Sequence, residues 1–271
     1  MKKVILILFF FKLNIFPAIG LELKGSLTQG ALIIGKAPVG SVVFIDGREL
    51  RVDPEEGVFV FGFGRDHKEE SNLKIIYPDN HIEIRTLLIK KREWKIERID
   101  GLPPKKVSPP KSMIVKIKRE SKILNNIRSR DTKKVNFLDG FLIPAKGRFS
   151  GRYGSQRILN GKVRRPHLGL DIAGSIGTPI YASASGRVVF TASDLFYTGG
   201  TIVIDHGHGV TTIYSHMNSI KTREGEYIEQ GKIIGTMGAS GRATGSHLDW
   251  RINWFNTRLD PELIMVRSQK N

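Results

Sequence analysis

Near its C-terminal end the chain reads TGSHLDWRINW, residues 244–254. Taken with a period of two, His247, Asp249, Arg251 and Asn253 share one face, and Leu248, Trp250, Ile252 and Trp254 the other. That is the pattern of a half-buried strand with a charged outer face. Side chains two apart on one strand face project in parallel, their Cα atoms about 7 Å apart. His247 and Asp249 could therefore both ligate one ion, or act as a ligand and a base. They could also be no more than a solvated strand face.

A second pair lies upstream in RPHLGLDIAG, residues 165–174, where His167 and Asp171 stand four apart. In a fully extended strand their Cα atoms would be about 13 Å apart, too far for one metal. Gly169 between them permits the bend that would bring them together. Taken alone, His-x-Gly-x-Asp is a weak signal. Between the two pairs, IYSHM sets His216 at the end of another strand. Three strands that each deliver a histidine suggest a metal site with spare bases. His206 and His208, in IDHGHGV, are flanked by glycines and read as turn residues without a catalytic role. His67 and His81 sit among polar turn residues and read as surface histidines.

HLGLDIAGSIGTPIYASASGRVVF, IDHGHGVTTIYSHM and EGEYIEQGKIIGTMGASGRATGSHLDW follow one another in order. Together they resemble the LytM/lysostaphin-type zinc endopeptidases of peptidase family M23, over about residues 137–263. The resemblance implies an antiparallel β-sheet sandwich with its site in a groove, one zinc ion, and the peptide part of peptidoglycan as substrate. It also implies His167 and Asp171 as zinc ligands. His216 and His247 become the pair that polarises the attacking water and stabilises the tetrahedral intermediate.

The family's third ligand is a histidine where this chain has Asp249. A carboxylate oxygen binds zinc at about 2.0–2.2 Å, so the exchange is chemically permitted. Two carboxylates cancel the ion's double charge, however, which weakens its effect on water and on a carbonyl. Arg251, on the face of Asp249, is expected to restore positive charge as a neighbour of the ligand or as an oxyanion stabiliser. The rival reading is a plain Asp249–Arg251 ion pair in a site that holds no zinc.

The elements that must position these residues are read as mainly β. Residues 137–263 carry 19 of the 29 glycines between short strands, and helical periodicity is nearly absent. Residues 21–100 read as a small β-sandwich module, with a hairpin at Asp46-Gly47 and a turn at Pro78-Asp79-Asn80. Residues 101–136 open with GLPPKKVSPP, a stiff spacer that no helix interior or central strand accepts. A helix then starts with Ser108 as cap and Pro109 in the first turn. Its apolar stripe (Met113, Ile117, Leu124 and Ile127) is read as packing on a neighbouring domain, with a membrane-surface helix as the alternative. Residues 264–271 form a tail.

The N-terminus reads as a secretory signal, with Lys2 and Lys3, an apolar run from Val4 to Phe11, and cleavage after about Gly20. An uncleaved anchor would need roughly 20 apolar residues, and Lys12, Asn14 and Pro17 interrupt this run. Export to a periplasm or cell envelope follows. The 43 Lys and Arg against 26 Asp and Glu give a net charge of +17, which attracts polyanions of any kind. Export, and the absence of any recognition helix, zinc finger or interleaved basic and aromatic residues, argue against nucleic acid. Anionic envelope polymers and cell-division proteins remain candidate partners beside peptidoglycan. No cysteine is present, which excludes disulfides, thiolate metal sites and a cysteine nucleophile. The expected function is an exported zinc endopeptidase of peptidoglycan. The alternative is a weak or dead relative that binds or regulates other wall hydrolases. The linker, or residues 137–166 with their many arginines, also leave room for an autoinhibitory contact.

Overall fold

The hairpin at Asp46-Gly47 forms as its sequence demands, with positive φ at both residues (48° and 81°). It belongs to a computed structural model that describes residues 20–101 and 109–266. The expected signal segment, Gly20 apart, and most of the expected tail lie outside the described residues. The N-terminal part has eight strands: β1 (Glu22–Lys24), β2 (Leu32–Lys36), β3 (Val42–Ile45), β4 (Arg48–Leu50), β5 (Val58–Gly62), β6 (Glu70–Ile76), β7 (Ile82–Leu88) and β8 (Ile96–Ile99). Strands β1-β2-β5 make one sheet and β4-β3-β6-β7 a second, with Ile33, Phe59, Phe61, Val43, Leu73 and Ile75 in the core. β8 leaves this module and pairs in parallel with Gln156–Leu159 of the C-terminal half.

The C-terminal half contributes β9 (Arg148–Gly151), β10 (Gln156–Leu159), β11 (Lys162–Val163), β12 (Leu170–Ala173), β13 (Pro179–Tyr181) and β14 (Gly186–Leu195). After these come β15 (Gly199–Gly207), β16 (Val210–Ile220), β17 (Tyr227–Ile228), β18 (Ile233–Met237), β19 (His247–Trp254) and β20 (Thr257–Leu259). The main sheet runs β17-β14-β15-β16-β19-β12-β9 and is antiparallel throughout; β18 and β20 pair at its margins. β15 is buried at every residue, because both faces of the sheet are covered. Ile202, Ile204 and Tyr214 enter the main core, while Val203 and Ile213 face a second apolar cluster.

Helix α1 (Ile114–Arg128) builds that second cluster, seating Ile127, with Ile123 and Leu124, on Val189, Val203 and Ile213. The C-terminal half of the apolar stripe, Leu124 and Ile127, therefore packs on the neighbouring sheet, whereas Met113 is exposed. Among the described residues no helix is long and apolar enough to cross a membrane. The helix starts later than its sequence suggests, after a 3₁₀ turn at Lys111–Met113. Pro110 is extended (φ −58°, ψ 145°), and a residue preceding proline, here Pro109, is itself disfavoured from helix. Ser108 lies outside the described residues. A short helix, α2 (Pro261–Ile264), closes the domain with Asp260 as its cap.

The two halves share one continuous core that runs from Ala31 to Leu259. Buried Asp260 lies 2.7 Å from Arg92 of the N-terminal half. Arg48 stacks over the rings of Phe255 and Trp254, 3.7 Å and 4.9 Å from their centres.

Candidate functional site

The site forms where β12, β16 and β19 lie side by side. β19 pairs β12 in a register that sets Asp249 opposite Asp171, and pairs β16 so that Ser215 faces Asp249. The alternation read from the sequence holds, but the outer face is not solvated: Asp249 is 4% and Asn253 0% exposed. His167 precedes β12, and the chain bends at Gly169 as the spacing requires. A Cβ at Gly169 would meet Asp249 Oδ1 at 2.6 Å and the Trp250 carbonyl at 2.9 Å. The glycine thus lets β19 close on β12. Gly151 clears room for Asp171 in the same way, since a Cβ there would fall 2.3 Å from Oδ2.

These elements bring His167, Asp171 and Asp249 together, all buried, with one donor atom of each within 4.8 Å of the others. Asp171 Oδ1 lies 3.1 Å from His167 Nε2 and 3.9 Å from His247 Nε2. Neither His167 Nε2 nor Asp171 Oδ1 makes a well-formed hydrogen bond. Buried polar atoms are seldom left so, and such orphans call for an account. One nitrogen and two carboxylate oxygens, two of the atoms orphaned, fit a divalent cation of the zinc type. Asp249 does not contradict this, because a carboxylate offers about four lone-pair positions and its neighbour uses only part of them.

That neighbour is Arg251, whose Nε donates to Asp249 Oδ1 at 2.9 Å while its Nη2 donates to Oδ2. Burial works to raise the Asp249 carboxyl, yet the charge and hydrogen bonds of Arg251 outweigh it and hold it well below the usual carboxylate range. The Arg251 guanidinium is pulled above its ordinary value by the same pairing, against the effect of burial. Asp171 likewise stays lowered despite burial, through its contact with His167 and the charge of Arg157. The Arg157 guanidinium lies 2.9 Å from Asp171 Oδ2. Two carboxylates thus face two guanidinium groups.

Arg157 is the site residue that sequence reasoning missed. It sits on the β10–β11 hairpin, whose turn is Asn160-Gly161, both at positive φ (47° and 72°). Asn-Gly between short strands is a strong hairpin signal, so this element was there to be found. Its placement over Asp171 depends on the parallel pairing with β8, which nothing local encodes.

His216 and His247 complete the site, their rings 4.6 Å apart. His216 lies where β16 exchanges β19 for β18 as partner, at a register shift, and its φ is +63°. A non-glycine residue held in this region costs on the order of 1–3 kcal/mol, and such strain gathers at functional sites. Its Nδ1 donates to the Ser240 carbonyl at 2.7 Å, and His247 Nδ1 donates to the Gly245 carbonyl at 2.9 Å. A carbonyl can only accept, so the proton of each ring sits on Nδ1 and each Nε2 keeps its lone pair. Burial lowers the His216 pKa, with the His247 charge adding to it and Asp249 opposing. The neutral, proton-accepting form is the favoured one.

The remaining histidines are structural. His206 lies on β15 and not in a turn; Nδ1 donates to the Ser185 carbonyl at 2.7 Å and Nε2 meets the Thr212 hydroxyl at 2.8 Å. His208 does occupy the following turn, at φ +49°. His67 is half-buried against Ser71 at 2.6 Å, and His81 is exposed.

A mainly antiparallel β domain with this cluster at the meeting of three strands defines the fold class of the M23 peptidases. Residues 165–261 match the family model of peptidase family M23. The chain is 38% identical over 112 residues to the peptidoglycan DD-endopeptidase ShyA of Vibrio cholerae, covering 41% of this chain and 26% of that protein. It is 41% identical over 91 residues to the DD-carboxypeptidase/endopeptidase Mpg of Neisseria meningitidis, covering 33% of this chain and 21% of that protein. It therefore spans only about a quarter of the length of these relatives. A crystal structure of an M23 peptidase from Pseudomonas aeruginosa superposes with a TM-score of 0.66 at 25% identity, covering 88% of this chain and 94% of that one. The likeness thus extends through the N-terminal module and α1.

Proposed function

We propose that the chain is an exported zinc-dependent endopeptidase that hydrolyses peptide bonds of peptidoglycan. The observation that carries this reading is the facing of two groups. His167, Asp171 and Asp249 point three buried donor atoms at one another. His216 and His247 stand beside them with Nε2 lone pairs fixed by backbone carbonyls.

His167, Asp171 and Asp249 would hold zinc. The ion would supply Lewis acidity toward the scissile carbonyl and make a water molecule more acidic. His216, kept neutral by burial, accepts a proton from the attacking water at Nε2. His247, its Nδ1 proton held by the Gly245 carbonyl, donates from Nε2 to the leaving amine or the developing oxyanion only after Nε2 has itself taken up a proton, as an imidazolium. Arg251 holds Asp249 in place through two donors and adds the positive charge that the second carboxylate removes. The basic surface favours an anionic wall, and the N-terminal module with α1 places the groove upon it.

The bidentate Asp249–Arg251 pair favours one alternative, a site that binds wall peptides or other wall hydrolases without cutting. A digest of purified peptidoglycan with zinc, with chelator, and with Asp249→Ala separates the two. The proposal expects soluble peptides that depend on metal and are lost in the variant. No release in any arm, with no zinc retained by the protein, would overturn it in favour of the binding reading.

A further inference from the structure

The groove beside the two histidines has a volume of about 1120 Å³ and runs between α1, the β10–β11 hairpin and the 239–246 loop. Six arginines and two lysines line it against three carboxylates. Among those arginines, Arg251 is engaged with Asp249, Arg157 with Asp171, and Arg258 with Asn253. Arg242 is different. Its guanidinium lies 4.3 Å from the centre of the Tyr197 ring, and no carboxylate of the described residues pairs with it. Partial desolvation of this exposed side chain and the charges of Arg157, Arg164 and Arg251 disfavour its cation, with Tyr197 opposing, and an anion entering the groove would relieve that repulsion.

Arg242 is also firmly based beside the reacting histidines. Its backbone N–H donates to the Tyr197 carbonyl at 3.0 Å. Two residues earlier, the Ser240 carbonyl fixes His216, while its hydroxyl donates to Met217 O at 2.8 Å and accepts from Gly200 N–H at 2.9 Å. Tyr197 stands in the turn after β14, which α1 braces through Glu120 accepting from the Phe196 N–H at 2.9 Å. One loop thus sets both the base and a cation whose planar fork matches a carboxylate. The tyrosine ring stiffens that fork before a ligand arrives.

We propose that Arg242 forms a carboxylate subsite at the His216 side of the groove and selects peptides with an anionic group next to the cleaved bond. This deepens the peptidase reading and rests on it. Either a free C-terminal carboxylate or an acidic side chain supplies the same chemistry, and the test tells them apart.

The full chain with zinc would be given three synthetic peptides of the wall stem sequence. One ends in a carboxylate, one in a carboxamide, and the third is a carboxamide with its acidic side chain also made an amide. Hydrolysis is measured as kcat/KM, and binding by anisotropy of the fluorescein-labelled peptides. A charge-assisted bidentate contact is worth roughly 1.5–3 kcal/mol, so the preferred anionic peptide should exceed its amide by about 10- to 100-fold. Arg242→Gln should abolish the preference, with the loss mainly in KM, and Arg242→Lys should restore part of it. Equal kcat/KM for all three peptides, or a preference that survives Arg242→Gln, would overturn the subsite and leave the peptidase reading standing. Binding with an Arg242-dependent preference but without hydrolysis would overturn the peptidase reading and keep the subsite. Arg242-dependent binding of polyphosphate that exceeds binding of every peptide would overturn it in favour of a phosphate-polymer surface.

Discussion

Arg251 and a bound cation both draw on the Asp249 carboxylate, and this gives the arginine two opposed effects. Without metal, the guanidinium neutralises a buried carboxylate. Removing one partner of such a pair costs about 3–5 kcal/mol. With metal, the same positive charge a few ångströms away repels the ion, by a few kcal/mol at an effective dielectric near 20. Arg251→Ala should therefore lower the stability of the metal-free protein by about 3 kcal/mol in urea titrations while tightening zinc on the order of tenfold in a chelator competition. Turnover should fall about tenfold or more, because the charge that offsets the second carboxylate is gone. Unchanged affinity and turnover would show that the pair is a bystander. At this scale the sequence was largely legible. Residue type and spacing marked His167, Asp171, Asp249, His216 and His247 as candidates, only the family resemblance joined them into one set, and Arg251 followed from its place on the same strand face. Arg157 could not, because its contact with Asp171 comes from a neighbouring strand pair.

Elements, and not side-chain chemistry alone, set the distance between the donors. The bend at Gly169 brings His167 back over Asp171, and the missing side chain lets β19 approach. Gly169→Ala would push a methyl group to 2.6 Å from Asp249 Oδ1 and 2.9 Å from the Trp250 carbonyl, backbone that cannot rotate away. Overpacking of this kind costs about 1–3 kcal/mol. Zinc affinity should fall more than stability does, since β19 must retreat from β12 by a fraction of an ångström at the ligands themselves. An isotherm like that of the unaltered chain would show that the close approach is irrelevant to the site. The alternation of TGSHLDWRINW specifies β19, and Asp46-Gly47 specifies its hairpin, because both signals are local. The helix start was misjudged for a related reason: Pro109-Pro110 looks like a helix opening, yet Pro110 is extended and a 3₁₀ turn at Lys111–Met113 comes before the α-helix. The parallel pairing of β8 with β10 joins residues about 60 apart, and no local pattern announces it.

At the scale of the whole molecule, the two halves share one core, and their stability should respond to pH as a unit. His206 shows how. It lies fully buried in β15, edge-on to Phe141 with ring centres 5.4 Å apart. Burial pushes its pKa down to about 4, and the bond to the Ser185 carbonyl only partly opposes this. In the unfolded chain the imidazole titrates near 6.5. Between these values the unfolded chain binds the proton and the folded one does not, so acid favours unfolding. The stability is fully present above about pH 6.5 and is lost progressively as the pH falls toward 4, by about 3 kcal/mol in all. His208, lowered chiefly by burial, acts in the same direction. His206→Gln keeps a donor for Ser185 and an acceptor for Thr212 without a titrating group. Its urea midpoint should fall at pH 7, by about 1 kcal/mol of lost packing. Between pH 7 and pH 5 it should then move less than that of the unaltered chain. Parallel loss of stability in both proteins over that interval would place the acid sensitivity elsewhere. Because α1, the main sheet and the N-terminal module rest on the same core, tryptophan fluorescence and far-UV circular dichroism should report one coincident transition.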